Sequence, residues 1–186
     1  NKVTATGDIT IQNVHGSLTL VGGHGGLGTY TLIGHGGRES VHDDVLSGNI
    51  FVSSKGPISL FGAAHAESGN FCGIGFAQDF LGVATHHYKA NHITVLSESD
   101  INIRAGHGKN HAFIGAFSGE AATGITVGNI GTIKISGSTL NLVGDKNSSS
   151  QADALVGVVG NNHSLHFDVD VSLKKSLNIL GGSPTE

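Results

Sequence analysis

The chain has 186 residues, enough for one domain with a core of its own, yet only 13% of them are charged against roughly 25% in ordinary domains. Ten Lys and Arg against 14 Asp and Glu leave a net charge of −4 with no run of like charge, which argues against a nucleic-acid backbone or an anionic membrane surface as an electrostatic partner. A lone Cys72 excludes an internal disulfide and a multi-cysteine metal site, and the longest apolar runs, such as 112–117 with Gly counted, fall far short of the roughly 18 residues that a membrane helix needs.

From the N-terminus, Gly7 and Asp8 supply a turn, after which Ile9 and Ile11 take the i, i+2 spacing of a strand with one buried face. Leu18 and Leu20 repeat that spacing. Thr31 and Ile33 do so again before Gly34, where the chain is expected to leave the strand through φ > 0. The same three marks recur down the chain. The first falls at Ile9, Ile50, Ile93 and Ile133, spaced 41, 43 and 40 residues. The second falls at Leu18, Ile58, Ile101 and Leu140, spaced 40, 43 and 39, and the third at Ile33, Ile74, Ile114 and Val156, spaced 41, 40 and 42. A fifth copy is read at Val171 and Leu173, continuing through Leu177 and Ile179, as a truncated or capping unit.

Three marks on one period predict strands that stack on their own copies, each repeat burying its apolar face against its neighbours. The expected fold is all-β: a right-handed parallel β-helix, or solenoid, with three strands per roughly 41-residue coil and about four to five rungs. Residues 1–186 are read as a single β-solenoid domain, a fragment of a larger surface protein. The surplus stretches 38–47, 78–90, 118–128 and 160–168 are expected to be loop. An antiparallel sandwich of short strands would leave the period unexplained.

Few residues suggest chemistry. Gly23-His24-Gly25-Gly26-Leu27-Gly28 has the spacing of a dinucleotide fingerprint, but no helical period follows to receive a pyrophosphate. His24, His65 and His107 fall in register after the second strand, spaced 41 and 42, and are weak candidates for a shared metal; a stacked polar ladder explains them as well. Tyr30, Phe71 and His111 share an outward column that would hold a sugar ring or a partner surface, or would pack rung against rung. Acidic residues are scattered, no serine has a nucleophile-elbow context, and Cys72 sits in an inward column of small residues, so no catalytic residue and no cofactor are implied.

The run Gly7-Asp8-Ile9-Thr10-Ile11, with Gly16-Ser17-Leu18-Thr19-Leu20-Val21-Gly22-Gly23-His24 and Tyr30-Thr31-Leu32-Ile33-Gly34-His35-Gly36-Gly37, resembles the repeats of bacterial filamentous-haemagglutinin-like and autotransporter passenger domains. The likeness extends over nearly the whole chain. It implies a right-handed β-helix, secreted or displayed on the bacterial outer surface, that serves in adhesion. The partner it implies is a glycan or protein on a host or neighbouring cell, with membrane contact only through a domain outside this chain. The chain lacks the Asn-Pro motifs of the N-terminal secretion domain in such proteins, since its prolines, Pro57 and Pro184, follow Gly56 and Ser183. The expected function is therefore a non-enzymatic adhesin or scaffold segment; a carbohydrate-active solenoid enzyme is the alternative.

Overall fold

Short alternations of branched apolar residues with Thr, Ser and Asn favour extended backbone with one face buried, and the chain folds accordingly. The computed structural model describes residues 3–13, 15–23, 29–38, 44–63, 70–79, 86–88, 91–108, 110–118, 126–145, 153–159 and 163–181. Among these residues there is no helix. The first repeat supplies β1 (Val3–Thr6), β2 (Ile9–Asn13), β3 (Leu18–Val21) and β4 (Tyr30–Arg38). The second supplies β5 (Asp44–Ser47), β6 (Ile50–Ser54), β7 (Ile58–Phe61) and β8 (Phe71–Asp79), and the third β9 (His86–Tyr88), β10 (Ile93–Ser97), β11 (Ile101–Arg104) and β12 (His111–Ser118). Then come β13 (Thr126–Val143), β14 (Ala154–Val159) and β15 (His163–Leu180).

Every pairing is parallel and joins a strand to its counterpart in the next repeat. Ile9 pairs with Ile50, Ile50 with Ile93, and Ile93 with Ile133. Leu18, Ile58, Ile101 and Leu140 are likewise in line. The third marks form a separate four-stranded sheet in the order β14-β12-β8-β4. The registers thus reproduce the periods read from the sequence.

Four details depart from expectation. The surplus stretches contain a fourth stack, β1-β5-β9 with the start of β13 and of β15, so a repeat holds four strands rather than three. In the fifth copy the first mark sits two residues earlier than read, with Val169 beside Ile133 and Val171 beside Ile135, whereas Leu177 and Ile179 stand beside Leu140 and Leu142 as expected. First and second strands are separate where six or seven residues take the chain from Ile11 to Leu18, Val52 to Ile58 or Val95 to Ile101. With only five from Ile135 to Leu140 they fuse into β13, with a register shift at Gly137/Thr139. Finally, the third strands do not end at their glycines: β8 runs on from Gly75 to Asp79 and β12 from Gly115 to Ser118.

Those glycines form a column of their own. Gly34, Gly75, Gly115 and Gly157 are register partners, and the last three have φ of 141, 141 and 135°. A Cβ on Gly75 would lie 1.9 Å from the carbonyl oxygen of Gly115, and one on Gly115 equally close to that of Gly157. Only glycine lets neighbouring backbones come this near.

Inside, Val52, Ile58, Leu60, Ile74, Ile93, Val95, Ile101, Ile103, Ile114, Ile133 and Ile135 are wholly buried in one cluster. Each such side chain contributes about 1.5–3 kcal/mol relative to exposure. At the first rung, His35 takes the inward place that Phe76 holds in the second; its ring stacks on Phe76 at 5.9 Å and its Nε2 lies 2.9 Å from the Gly7 carbonyl oxygen.

Candidate functional surface

The outward faces of the stacks are where a ligand would meet this fold, and they differ sharply. In the two central strands of the four-stranded sheet both faces are covered: residues 71–77 and 111–117 are buried throughout. Phe71, Ala77, Phe113 and Phe117 make a second small core on the face opposite the main one. Gly73 makes room for it, because its absent side chain leaves the space that the Phe113 ring occupies.

The column Tyr30, Phe71, His111 lies on that covered face. Tyr30 stacks on Phe71 with centroids 4.8 Å apart and 9° between planes, while Phe71 packs on Phe117 at 4.9 Å. Phe71 is 0% exposed and His111 5%, so of the three only Tyr30, at 39%, offers part of its surface to a ligand. The column is therefore rung-to-rung packing of aromatic rings. His111 continues it into the fourth repeat: its Nδ1 accepts the Asp153 N–H at 3.2 Å, and the Asp153 carboxylate oxygen lies 3.4 Å from the same nitrogen. When Nδ1 carries a proton it donates to that carboxylate instead, and this bond holds the Asp153 carboxyl below its ordinary value.

His24 and His65 lie outside the described residues. His107 is half exposed, and its Nδ1 lies 3.1 Å from Asp145 Oδ2, the acid that follows it in the fourth repeat. Among the described residues no three His, Cys, Asp or Glu side chains gather where one metal ion would bind them. Cys72 is fully buried, and burial pushes its thiol up to about 12, with a hydrogen bond to the Phe61 backbone opposing the shift. Such a thiol is a poor nucleophile at neutral pH.

The second stack has an open outer face. Its outward column runs Thr19, Ser59, Asn102, Asn141, Asn178. Asn178 Nδ2–H donates to Asn141 Oδ1 at 2.8 Å, Asn141 to Asn102 at 2.7 Å, and Asn102 to Ser59 Oγ at 3.3 Å. This ladder uses one N–H and one carbonyl oxygen contact of each inner carboxamide, about half of its capacity. Alongside runs a column of Val21, Phe61, Arg104, Val143 and Leu180, of which Val21 (47%), Phe61 (36%) and Leu180 (55%) are exposed apolar groups. Arg104 is exposed, and it is the one charged side chain in the two columns.

The sequence pattern already sets Thr19, Ser59, Asn102, Asn141 and Asn178 in one nearly uncharged outward column but does not mark the column of Phe61 and Arg104. The signal was present: a residue one step past each second mark faces outward by the same alternation that buries Leu20, Leu60 and Ile103. A flat surface of carboxamides beside a Phe ring and one guanidinium suits a neutral, hydroxyl-rich ligand. Its donors and acceptors are placed by the sheet, and the ring offers a stacking surface. No family model, curated protein or solved structure matches this chain.

Proposed function

We propose that the chain is a right-handed parallel β-helix segment that works without catalysis, as an adhesin or scaffold on the bacterial surface or in the secreted medium. Its ligand-contacting surface in this reading is the second stack's outer face, where the Asn102–Asn141 column runs beside the column of Phe61 and Arg104. The observation that carries the reading is the unbroken parallel register of equivalent strands, which turns any outward residue into a column and so into an extended, repeating surface. Handedness follows from the strong preference of parallel crossovers for the right-handed sense. The near-absence of charge on the open face favours a neutral glycan on a host or neighbouring cell as partner.

The test is a glycan array probed with the 186-residue chain, run beside incubation with neutral and acidic polysaccharides. Binding to neutral glycans that falls roughly tenfold in Phe61→Ala and in Arg104→Ala is the expected result. Binding untouched by both changes contradicts the assigned surface. Chain cleavage of any polysaccharide at a catalytic rate contradicts the non-enzymatic reading.

A further inference from the structure

The open face of the second stack repeats one chemistry at a fixed interval, and the interval selects the ligand. Ser59, Asn102, Asn141 and Asn178 stand on successive rungs, each about 4.8 Å from the last. The carboxamides of Asn102 and Asn141 each use one N–H and one oxygen contact along the column, so each keeps a second N–H and a second lone pair for a ligand. Two residues further along the same strands, Phe61 and Arg104 are register partners, and both are exposed. Among the described residues the Phe61 ring stacks on no other ring, and the Arg104 guanidinium has no carboxylate partner. Hydrogen-bonding capacity therefore recurs on every rung of one column, with an aromatic plane and a cation beside it.

A ligand that uses several rungs must repeat its own polar groups at nearly the same interval along the coil axis. An extended polypeptide repeats one face every two residues, about 6.6 Å, and falls out of step with the column by the next rung. A nucleic-acid strand brings a negative charge on every unit to a face whose one charged side chain is Arg104. A β-(1→4)-linked pyranose chain advances by about one strand spacing per sugar, and its equatorial hydroxyls line both edges of a flat ribbon. Each sugar can then set a hydroxyl edge against one rung of the column, while an apolar C–H face lies on the Phe61 ring. An α-(1→4)-linked chain coils and does not keep one edge along a straight column.

We infer that this face binds a linear, neutral β-(1→4)-linked polysaccharide running parallel to the coil axis, one sugar to a rung. One ring stacks on Phe61, the next sugar donates its hydroxyls to Asn102 or accepts from Arg104, and further sugars bond to Asn141 and Asn178. This ligand rests on the reading of the face as the ligand-contacting surface, and adds linkage, shape and direction to it. Binding becomes a matter of length: the sugars over Phe61 and Arg104 anchor the chain, and those over Asn141 and Asn178 extend it.

Cello-oligosaccharides of two to four sugars, titrated into the 186-residue chain beside malto-oligosaccharides of equal length and followed by backbone amide NMR, test it. Affinity for the β-linked series is expected to rise roughly threefold with each added sugar, the gain of about one net hydrogen bond, while the α-linked series gains less than about twofold over the whole range. Asn178→Ala, at an exposed position, is expected to remove the last step of the β-linked gain and to leave disaccharide affinity unchanged. Phe61→Ala is expected to weaken every β-linked member alike. Binding through Phe61 that does not depend on length, an α-linked series that gains equally, or an Asn178→Ala protein that keeps the full gain overturns the inference and leaves Phe61 and Arg104 as the ligand surface. Failure of every cello-oligosaccharide to bind overturns it as well, and the glycan array with its Phe61→Ala and Arg104→Ala controls then shows whether the face binds another neutral glycan. Binding of either series that is untouched by Phe61→Ala contradicts both the ligand and the surface.

Discussion

The central strands of the four-stranded sheet and the second stack are built from the same repeat, yet the former are buried on both faces and the latter on one. In β8 and β12 even the outward positions hold Phe71, Phe113 and Phe117; Gly73 leaves room for the Phe113 ring, and the glycine column at 75 and 115 lets backbones close up. In β7 and β11 the outward positions hold Ser59, Phe61, Asn102 and Arg104; Phe61 and Arg104 are exposed, Asn102 is half-buried, and Asn102 donates to the buried Ser59 hydroxyl. The contrast teaches that period-2 alternation assigns a residue to a face but not that face to water. Parallel sheets are ordinarily covered on both sides, so the wet face is the unusual one and the better place to seek a ligand.

The sharpest way to break this contrast is at the glycines. Gly115→Ala forces a Cβ to within 1.9 Å of a backbone oxygen at a φ of 141°, and a loss of about 4 kcal/mol or more is expected, enough to prevent folding. Gly181→Ala meets nothing within 4 Å and is expected to change stability by less than about 0.5 kcal/mol. Urea unfolding of the two proteins checks the pair; equal midpoints would show that the close approach in the third sheet is absent.

Next in size, Phe113→Ala removes a fully buried ring and is expected to cost about 3–5 kcal/mol, whereas Phe61→Ala, on the open face, costs under about 1 kcal/mol. Similar losses at both positions would erase the difference between the faces. Within the ladder, Asn141→Leu leaves Asn102 and Asn178 without their partner and is expected to cost about 1–2 kcal/mol by the same assay.

A last contrast separates inside from outside by titration and is confined to alkaline pH. Burial raises the Cys72 thiol from an ordinary 9.0 to about 12, so the neutral form is the one that the fold favours. Its contribution is complete below pH 9.0 and is lost as pH rises from there towards 12, at up to about 1.4 kcal/mol per unit. Wild type should therefore lose stability faster than Cys72→Ala across that window. A thiol reagent should leave Cys72 unmodified at pH 8 until the protein unfolds.

The stacking was legible because Ile, Val and Leu at i and i+2, repeated at about 41 residues, admit few other arrangements. The fourth stack was not. Asp44-Val45-Leu46, His86-His87-Tyr88 and Thr126-Val127-Gly128 share a register but no common pattern of residues. The glycines were legible as special and misassigned as strand exits, because a local rule for φ > 0 carries no information about a backbone in the next repeat. Tyr30, Phe71 and His111 were correctly placed in one column, but whether that column is covered depends on neighbours that alternation does not name. Phe61 and Arg104 drew no notice because a single aromatic or basic residue per column leaves no repeat to detect.

The central claim is that corresponding segments lie directly above one another along the whole chain. Thr10, Phe51, Thr94, Lys134 and Asp170 form one outward column. Paired spin labels at Thr10 and Lys134 should report three strand spacings, about 14 Å between backbones, and labels at Thr10 and Asp170 four, about 19 Å. A rise of one strand spacing from the first pair to the second is the predicted result. A second separation equal to or shorter than the first, as in a fold that returns its last strand beside its first, would contradict the account.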